Sequence, residues 1–406
     1  MLLLARCIGA PGVIRATRKA QKRPAKTARI LLVRPDHLGD LVLATPVLQA
    51  LRDQLPQAQI TMLVGPWSRE VVARHPALDH VETCAFPGFQ RAQQHPLTPY
   101  LLLYRMAGQL RREHYDLAIN LRPDFWWGAA LLYLAAIPRR IGYSIEPGRV
   151  FLTQALPFVE PEHASVSNLR LASTALQSLQ QEPLSEPLSP ERYPFSFIPT
   201  DEEKASVARL LADRGIDAET SLVVIHPGTG GAVKLWRSEG WAECADWLVQ
   251  SSHRNTHTLL SKQETRIILT GTPKERPLLE EIARAMKQAD PLLFSEMTIG
   301  LLAALLARAK LVLGVDNGPL HLAIAQGTPT LQLFGPTDVR IFGPWGKAGK
   351  HTVITSEQRC PGCPLIPCGR LDFTEDELAA HPCVKLISEE QVQQAITTLL
   401  ENVVLK

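Results

Sequence analysis

The sequence predicts an α/β protein built from two doubly wound, Rossmann-like domains facing across a cleft, and three observations predict it. Short apolar runs alternate with helix-compatible stretches from residue 30 onward, the pattern of a parallel sheet with helices on both faces. A polar stretch holding Pro183, Pro187, Pro190, Pro194 and Pro199 then breaks the pattern and reads as a linker, because prolines so dense exclude a helix interior. After it the alternation starts again. The length of 406 residues suits two domains of roughly 150–200 residues each.

The first domain opens with the apolar run 30–33, a turn through Gly39-Asp40 and a helix over 41–55. Further strands are expected at 59–65, 115–121 and 140–143, with helices near 67–75 and 99–113. The second domain opens with a strand at 221–225, followed by a helix at about 238–251. Strands are expected at 266–270, 311–315 and 330–334, and helices after Pro277, at 301–309 and at 320–326. The segment 388–400 carries Ser388 as a cap with Glu389 and Glu390 behind it, a closing helix. The expected organisation is a basic, disordered leader (1–28), a first domain (29–185), a proline-rich linker (186–200), a second domain (201–387) and the closing helix (388–406).

Composition narrows the class. Apolar residues make up 45% and charged residues 20%, ordinary for a globular protein. No apolar run reaches the ~18 residues of a membrane-spanning helix. The first 35 residues hold nine Lys and Arg and no acid, against a net charge of +3 for the chain, so the remainder is acidic. Such a leader either attracts an anionic membrane surface or is a solvated extension. Nucleic acid is not an expected partner, because the rest of the chain is net acidic and carries no reading motif. Seven cysteines, an odd number without an export pattern, point to a reducing cytoplasm.

Ligands of open α/β sheets bind beyond the carboxyl ends of the strands. Asp40, just past the first strand, is either a helix cap or a general base. The three spaced glycines of a dinucleotide fingerprint are missing there. His226-Pro-Gly-Thr-Gly-Gly231, followed by Lys234, is a small-residue turn that exposes N–H groups, with a cation nearby for a phosphate. Asp316-Asn317-Gly318-Pro319-Leu320-His321 opens a helix directly after a buried strand, a second anion-binding turn. Arg122, Arg139 and Arg140 are either solvated loop residues or grips for acceptor phosphates or carboxylates. Cys360, Cys363, Cys368 and Cys383 begin with a metal-ligand spacing, and either stay as free thiols or close a structural zinc or, as a further alternative, an iron–sulfur site.

The stretches 34–48, 226–229, 314–321, 327–330 and 334–338 together resemble glycosyltransferase family 9, the ADP-heptose:lipopolysaccharide heptosyltransferases and their relatives, over about residues 29–400. The resemblance implies a GT-B fold and inversion at the anomeric carbon, with no cofactor required for catalysis. It implies Asp40 as the base that activates the acceptor, and Thr229 and Lys234 beside the donor phosphates. Asp316 then holds the donor sugar, and the backbone at Asn317 and Gly318 cradles the diphosphate, with His321 in the same motif. Glu275 is similar to a ribose-binding acid, and Met297 resembles a residue near the adenine. The implied partners are a nucleotide sugar, ADP-heptose first, and a lipid-linked or core oligosaccharide acceptor, met in the cytoplasm or at the inner face of its membrane. Two alternatives stand beside this: a family member using another nucleotide sugar and acceptor, and a non-catalytic binding protein of the same fold.

Overall fold

The structure is a computed structural model, and it describes residues 11, 12, 14, 16, 17, 24–89, 95–252, 264–356, 358, 360, 363 and 367–404. Most of the expected leader lies outside the described residues. The chain divides into two compact units, residues 1–193 and 194–406, and residues 179–200 carry no helix or strand.

The first unit is a six-stranded parallel sheet of order β3-β2-β1-β4-β5-β6. Its strands are β1 Arg29–Arg34, β2 Gln59–Val64, β3 His80–Thr83, β4 Leu117–Asn120, β5 Arg139–Tyr143 and β6 Gln154–Leu156. Its long helices are α1 Leu38–Gln54, α2 Thr98–Arg112, α3 Trp126–Leu134 and α4 Ala164–Ser178. β1 is buried along Ile30–Arg34, and α1 buries ten residues from Leu41 to Leu51, which explains why both read from sequence as nearly continuous apolar stretches.

The second unit repeats the design, with order β12-β11-β10-β7-β8-β9. Here β7 is Ser221–His226, β8 Thr265–Thr270, β9 Leu292–Phe294, β10 Leu311–Val315, β11 Thr330–Phe334 and β12 His351–Thr355. The helices are α5 Asp201–Ala212, α6 Ser238–Ser252, α7 Arg276–Ala285, α8 Ile299–Arg308, α9 Gly318–Ala325 and α10 Glu389–Val404. The closing helix α10 packs mainly on α6 and β12 of its own unit. Its apolar positions Val392, Ile396, Leu399 and Leu400 join the core that covers one face of β7, β8, β10 and β11. Among the described residues, no helix is long and apolar enough to cross a membrane.

Read outward from the strand that opens each unit, both sheets have the 3-2-1-4-5-6 order. The chain reverses direction across the sheet between β1 and β4, and again between β7 and β10. Such a reversal leaves a crevice at the carboxyl ends of those two strands, the place where this architecture binds ligands. Asp40 and Arg122 follow β1 and β4; His226 and Asp316 close β7 and follow β10.

Candidate active site

In the first unit the centre of the site is Arg34, the last residue of β1 and only 5% exposed. Its Nε lies 2.7 Å from Asp36 Oδ2, and its Nη2 lies 3.2 Å from Asp40 Oδ1. Nη1 donates to Leu121 O at 2.8 Å and to Asn168 Oδ1 at 3.5 Å. One buried guanidinium thus ties together the ends of β1 and β4, helix α4 and the first turn of α1. Asp36, buried beneath it, also pairs with Arg122 Nη1. The side chain of Asp40 keeps 34% of its exposure, so Arg34 fixes its direction while leaving the carboxylate accessible.

The loops around this chain of charges are held by the backbone. Trp67 Nε1 donates to Asp36 O at 3.1 Å and Ser68 Oγ to the same oxygen at 2.9 Å. Asn120 Nδ2 donates to Arg122 O and Phe125 O, shaping the turn that carries Arg122. Arg122 also holds Asp124 at 2.8 Å and lies over the Phe89 ring. Burial disfavours its cation, but Asp36 and Asp124 outweigh that and raise its pKa further above the ordinary arginine value.

Arg139 and Arg140 do not belong to this group. Strand register sets Arg139 level with Leu117 and Ile30, at the amino end of the sheet. Arg34 is four residues further along β1, roughly 13 Å away at ~3.3 Å per residue. Arg140 is buried there, its guanidinium donating to Phe151 O at 2.6 Å and to Ile137 O, with Tyr133 beneath it. Burial pushes its pKa down to about 10, and the Tyr133 side chain opposes the shift. There it holds a loop in place, at the end of the sheet opposite Asp40.

In the second unit the structure brings together most of the residues expected on the donor side. Lys234, at the end of a short turn Ala232–Lys234, places Nζ 2.8 Å from Asp316 O and 3.2 Å from Asp316 Oδ2. Thr337 Oγ1 donates to the same Oδ2 at 2.7 Å, and Thr229 Oγ1 reaches Asp316 O at 3.5 Å. Asn317 caps α9: its Oδ1 accepts from Leu320 N at 3.1 Å, and its Nδ2 donates to His226 O and Gly228 O at 3.2 and 2.8 Å. The two turns expected to bind an anion are therefore stitched together by one amide side chain. His321 is buried in α9 with its ring edge-on to Phe195 at 5.9 Å.

Glu275 reaches this cluster through its own turn. It closes a capping box, Oε2 accepting from Thr272 N at 2.7 Å and Thr272 Oγ1 at 2.8 Å. Its Oε1 lies where a Cβ on Gly228 would be only 2.2 Å away, so any larger residue there must displace the Glu275 carboxylate. His226, whose Nδ1 is 2.9 Å from Thr270 Oγ1, is pushed down to about 4 by burial, with Glu275 opposing. Met297 is half-buried beyond edge strand β9, against the core beneath α8. That position is two strands from β7, roughly 10 Å across the sheet.

The cysteine tail is a distinct cluster. Cys363 Sγ is 3.1 Å from His381 Nδ1, and the ligand atoms of Cys360, Cys363 and His381 all lie within 4.8 Å of one another. Burial and then the neighbouring thiols of Cys368 and Cys360 push Cys363 up to about 11; burial and then Cys360 push Cys383 up to about 12. The expected donor set of four cysteines omits His381, although His381-Pro382-Cys383 stands in the sequence beside the fourth thiol.

Arg34, Asp36 and Thr337 are also absent from the expected set. Arg34 and Thr337 lie within stretches singled out for other residues, and only the fold shows which carboxylates they touch.

Residues 103–363 match Glycosyltransferase family 9 (heptosyltransferase). The chain is 26% identical over 321 residues to lipopolysaccharide heptosyltransferase 1 of Escherichia coli (strain K12), covering 79% of this chain and 91% of that protein. It is 26% identical over 362 residues to lipopolysaccharide heptosyltransferase 1 of Pseudomonas aeruginosa, covering 86% and 89%. Among solved structures, a family 9 glycosyl transferase from Veillonella parvula superposes with a TM-score of 0.73 at 21% identity, covering 93% of this chain and 98% of that one. The E. coli ADP-heptose lps heptosyltransferase II superposes with a TM-score of 0.68 at 21% identity, covering 92% and 98%. The likeness fixes the two-domain GT-B fold, and with the family match over well over half its length the chain belongs to glycosyltransferase family 9 and is a glycosyltransferase.

Proposed function

We propose that this enzyme transfers heptose from ADP-heptose to a lipopolysaccharide-core acceptor, with inversion at the anomeric carbon. The observation that carries the reading is the arrangement at the two chain reversals: an accessible carboxylate oriented by a buried arginine in one unit, and a cation beside two backbone turns in the other. The relatives, lipopolysaccharide heptosyltransferases, support the substrate class. One E. coli heptosyltransferase of the same fold is solved with ADP and again with ADP-2-deoxy-2-fluoro heptose.

In this scheme Asp40 takes the proton of the acceptor hydroxyl as its oxygen attacks the anomeric carbon. The bond to the diphosphate breaks on the opposite face, and ADP departs with the electron pair. Lys234 and the N–H groups of Asn317 and Gly318 receive the charge that develops on the leaving oxygens. Asp316, fixed by Lys234 and Thr337, holds a sugar hydroxyl, with Thr229 and His321 lining the same turns. Glu275 takes the ribose and Met297 the base. Arg122 is the acceptor-side arginine retained in the scheme. The scheme uses no metal.

A lipid-linked acceptor calls for contact with the inner face of the cytoplasmic membrane. Leu97, Tyr100, Leu101 and Tyr104 are all exposed, at i, i+3, i+4 and i+7 along the start of α2, with Arg105, Arg111 and Arg112 on the same helix. Tyrosines and apolar side chains with flanking arginines suit an anionic bilayer surface.

The test is to incubate the protein with ADP-heptose and a heptose-free core acceptor, following ADP release and product mass, with the anomeric configuration read by NMR. An added heptose of inverted configuration is expected. Turnover of UDP-sugars alone, or retention of configuration, refutes the donor or the mechanism respectively.

A further inference from the structure

Strand β11 ends in the turn Gly335-Pro336-Thr337, and Thr337 holds Asp316. The C-terminal tail presses on the same turn. Gly369 N donates to Pro336 O at 2.7 Å. Gly335 packs so closely on the tail that a Cβ there would lie 2.8 Å from Cys383 Sγ and 2.5 Å from Val384 Cγ2. Whatever orders Cys383 therefore orders the turn that positions Asp316.

Five side chains gather behind that contact: Cys360, Cys363, Cys368, His381 and Cys383. Cys360 and Cys383 are buried at 2% and 4% exposure and lie in one core cluster with Val384 and Ile387. The Cys360 and Cys383 thiols are neighbours, and the Cys363 thiol has Cys368 and then Cys360 beside it. His381, tilted against Phe373 with 4.1 Å between ring centroids, turns Nδ1 toward Cys363. Tetrahedral zinc, with Zn–S of ~2.3 Å and Zn–N of ~2.0–2.1 Å, sets its donors roughly 3.6–3.8 Å apart. The 4.8 Å span of Cys360, Cys363 and His381 closes on that geometry with small movements.

We propose that Cys360, Cys363, His381 and Cys383 bind one zinc-type divalent cation, and that this ion braces the Gly335–Thr337 turn against Asp316. Cys383 lies outside the 4.8 Å group and must swing in to complete the set; it is favoured over Cys368, the other neighbour of Cys363, because it is buried beside Cys360 and shares a three-residue segment with His381. The ion takes no part in the transfer; it neutralises clustered thiolates and pins the tail, as closed structural sites do. The bracing half rests on the donor-site reading above; the site itself does not.

The test uses the full chain, purified from zinc-supplemented cells. Elemental analysis is expected to find about one zinc per chain, lost in His381→Ala and Cys383→Ser and retained in Cys368→Ser. Chelation of the wild-type protein under reducing conditions should weaken ADP binding by about tenfold or more, and added zinc should restore it, which separates bracing from a variant that fails to fold. No bound metal, or a disulfide among these cysteines, overturns the site. Zinc lost in Cys368→Ser but kept in Cys383→Ser overturns the donor set. Equal ADP affinity with and without zinc overturns the brace. A loaded protein that holds zinc but ignores ADP overturns the donor reading and the brace together, and leaves the metal site standing.

Discussion

The ammonium of Lys234 sits 3.2 Å from Asp316 Oδ2 and 2.8 Å from the Asp316 carbonyl oxygen, with both side chains largely out of water. In the proposed scheme this paired, desolvated cation serves two roles: it balances Asp316 before the donor arrives, and it faces the leaving diphosphate afterwards. Lys234→Ala is expected to weaken ADP binding by about tenfold or more and to lower stability by about 3 kcal/mol, since removing one partner strands a buried charge. Calorimetry with ADP and a urea titration check the two effects separately.

Asp40→Ala is expected to lower kcat by roughly 10²–10⁴, the usual contribution of a general base, with ADP affinity within about twofold of the parent. Arg34→Ala should reproduce part of the kcat loss, since it releases the Asp40 carboxylate, and should also destabilise the fold, since it leaves Asp36 buried. Single-turnover rates beside melting curves separate the two variants, and near-normal turnover in Asp40→Ala sinks the base assignment.

The arginines expected at the acceptor should part company. Arg122→Ala is expected to raise the acceptor KM while leaving ADP binding unchanged. Arg140→Ala should leave that KM alone and lower the melting temperature, because its hydrogen bonds are to Ile137 O and Phe151 O at the far end of the sheet. The reverse pattern refutes the placement.

Gly228→Ala should be poorly tolerated although both residues are small. Its Cβ meets the Glu275 carboxylate at 2.2 Å, so either Glu275 leaves its capping box or the turn at His226 shifts. The expected result is weaker ADP binding and a lower melting temperature, of which Glu275→Ala should restore the melting temperature but not the ADP affinity; full ADP affinity in Gly228→Ala argues against the reading.

Acid should destabilise the protein through three histidines, two buried and one, His351, partly buried. His75, His226 and His351 are each pushed down to about 4, first of all by burial. Their neutral forms are built into the fold: the N–H of Ala77, for example, donates to His75 Nδ1. A lowered histidine value means that the unfolded chain takes the proton first. The stability is therefore whole above about pH 6.5 and drains away as pH falls toward 4, on the order of 3 kcal/mol per ring. Urea midpoints between pH 7 and pH 4 check this, and His75→Gln or His351→Gln should each flatten the curve.

The legible parts of the fold are its interior. Strands β1, β2, β4, β5, β7, β8, β10 and β11 all show in the sequence, because strands covered on both faces are written as apolar runs. The four that do not show, β3, β6, β9 and β12, are the edges of the two sheets, and β3, with its pattern His80-Val-Glu-Thr83, is mostly exposed. The same contrast governs the site. Asp40, Lys234 and Asp316 are visible because they stand just beyond buried strands. Arg139 and Arg140 look equally suitable along the chain, and only register reveals that they open a strand whose other end faces the ligand side. His381 hides because a metal-ligand spacing read through cysteines alone has no place for it.

The cap on α9 limits what that helix can offer. Asn317 Oδ1 already occupies the N–H of Leu320, and Pro319 has none to give. Of the four backbone donors that usually stand open at a helix start, two are left, on Asn317 and Gly318. Two neighbouring donors match the oxygens of a single phosphate. In a diphosphate the second phosphate must therefore look beyond this helix, in the proposed scheme to Lys234 and the turn at Gly228–Gly231, so the helix alone discriminates little between one phosphate and two.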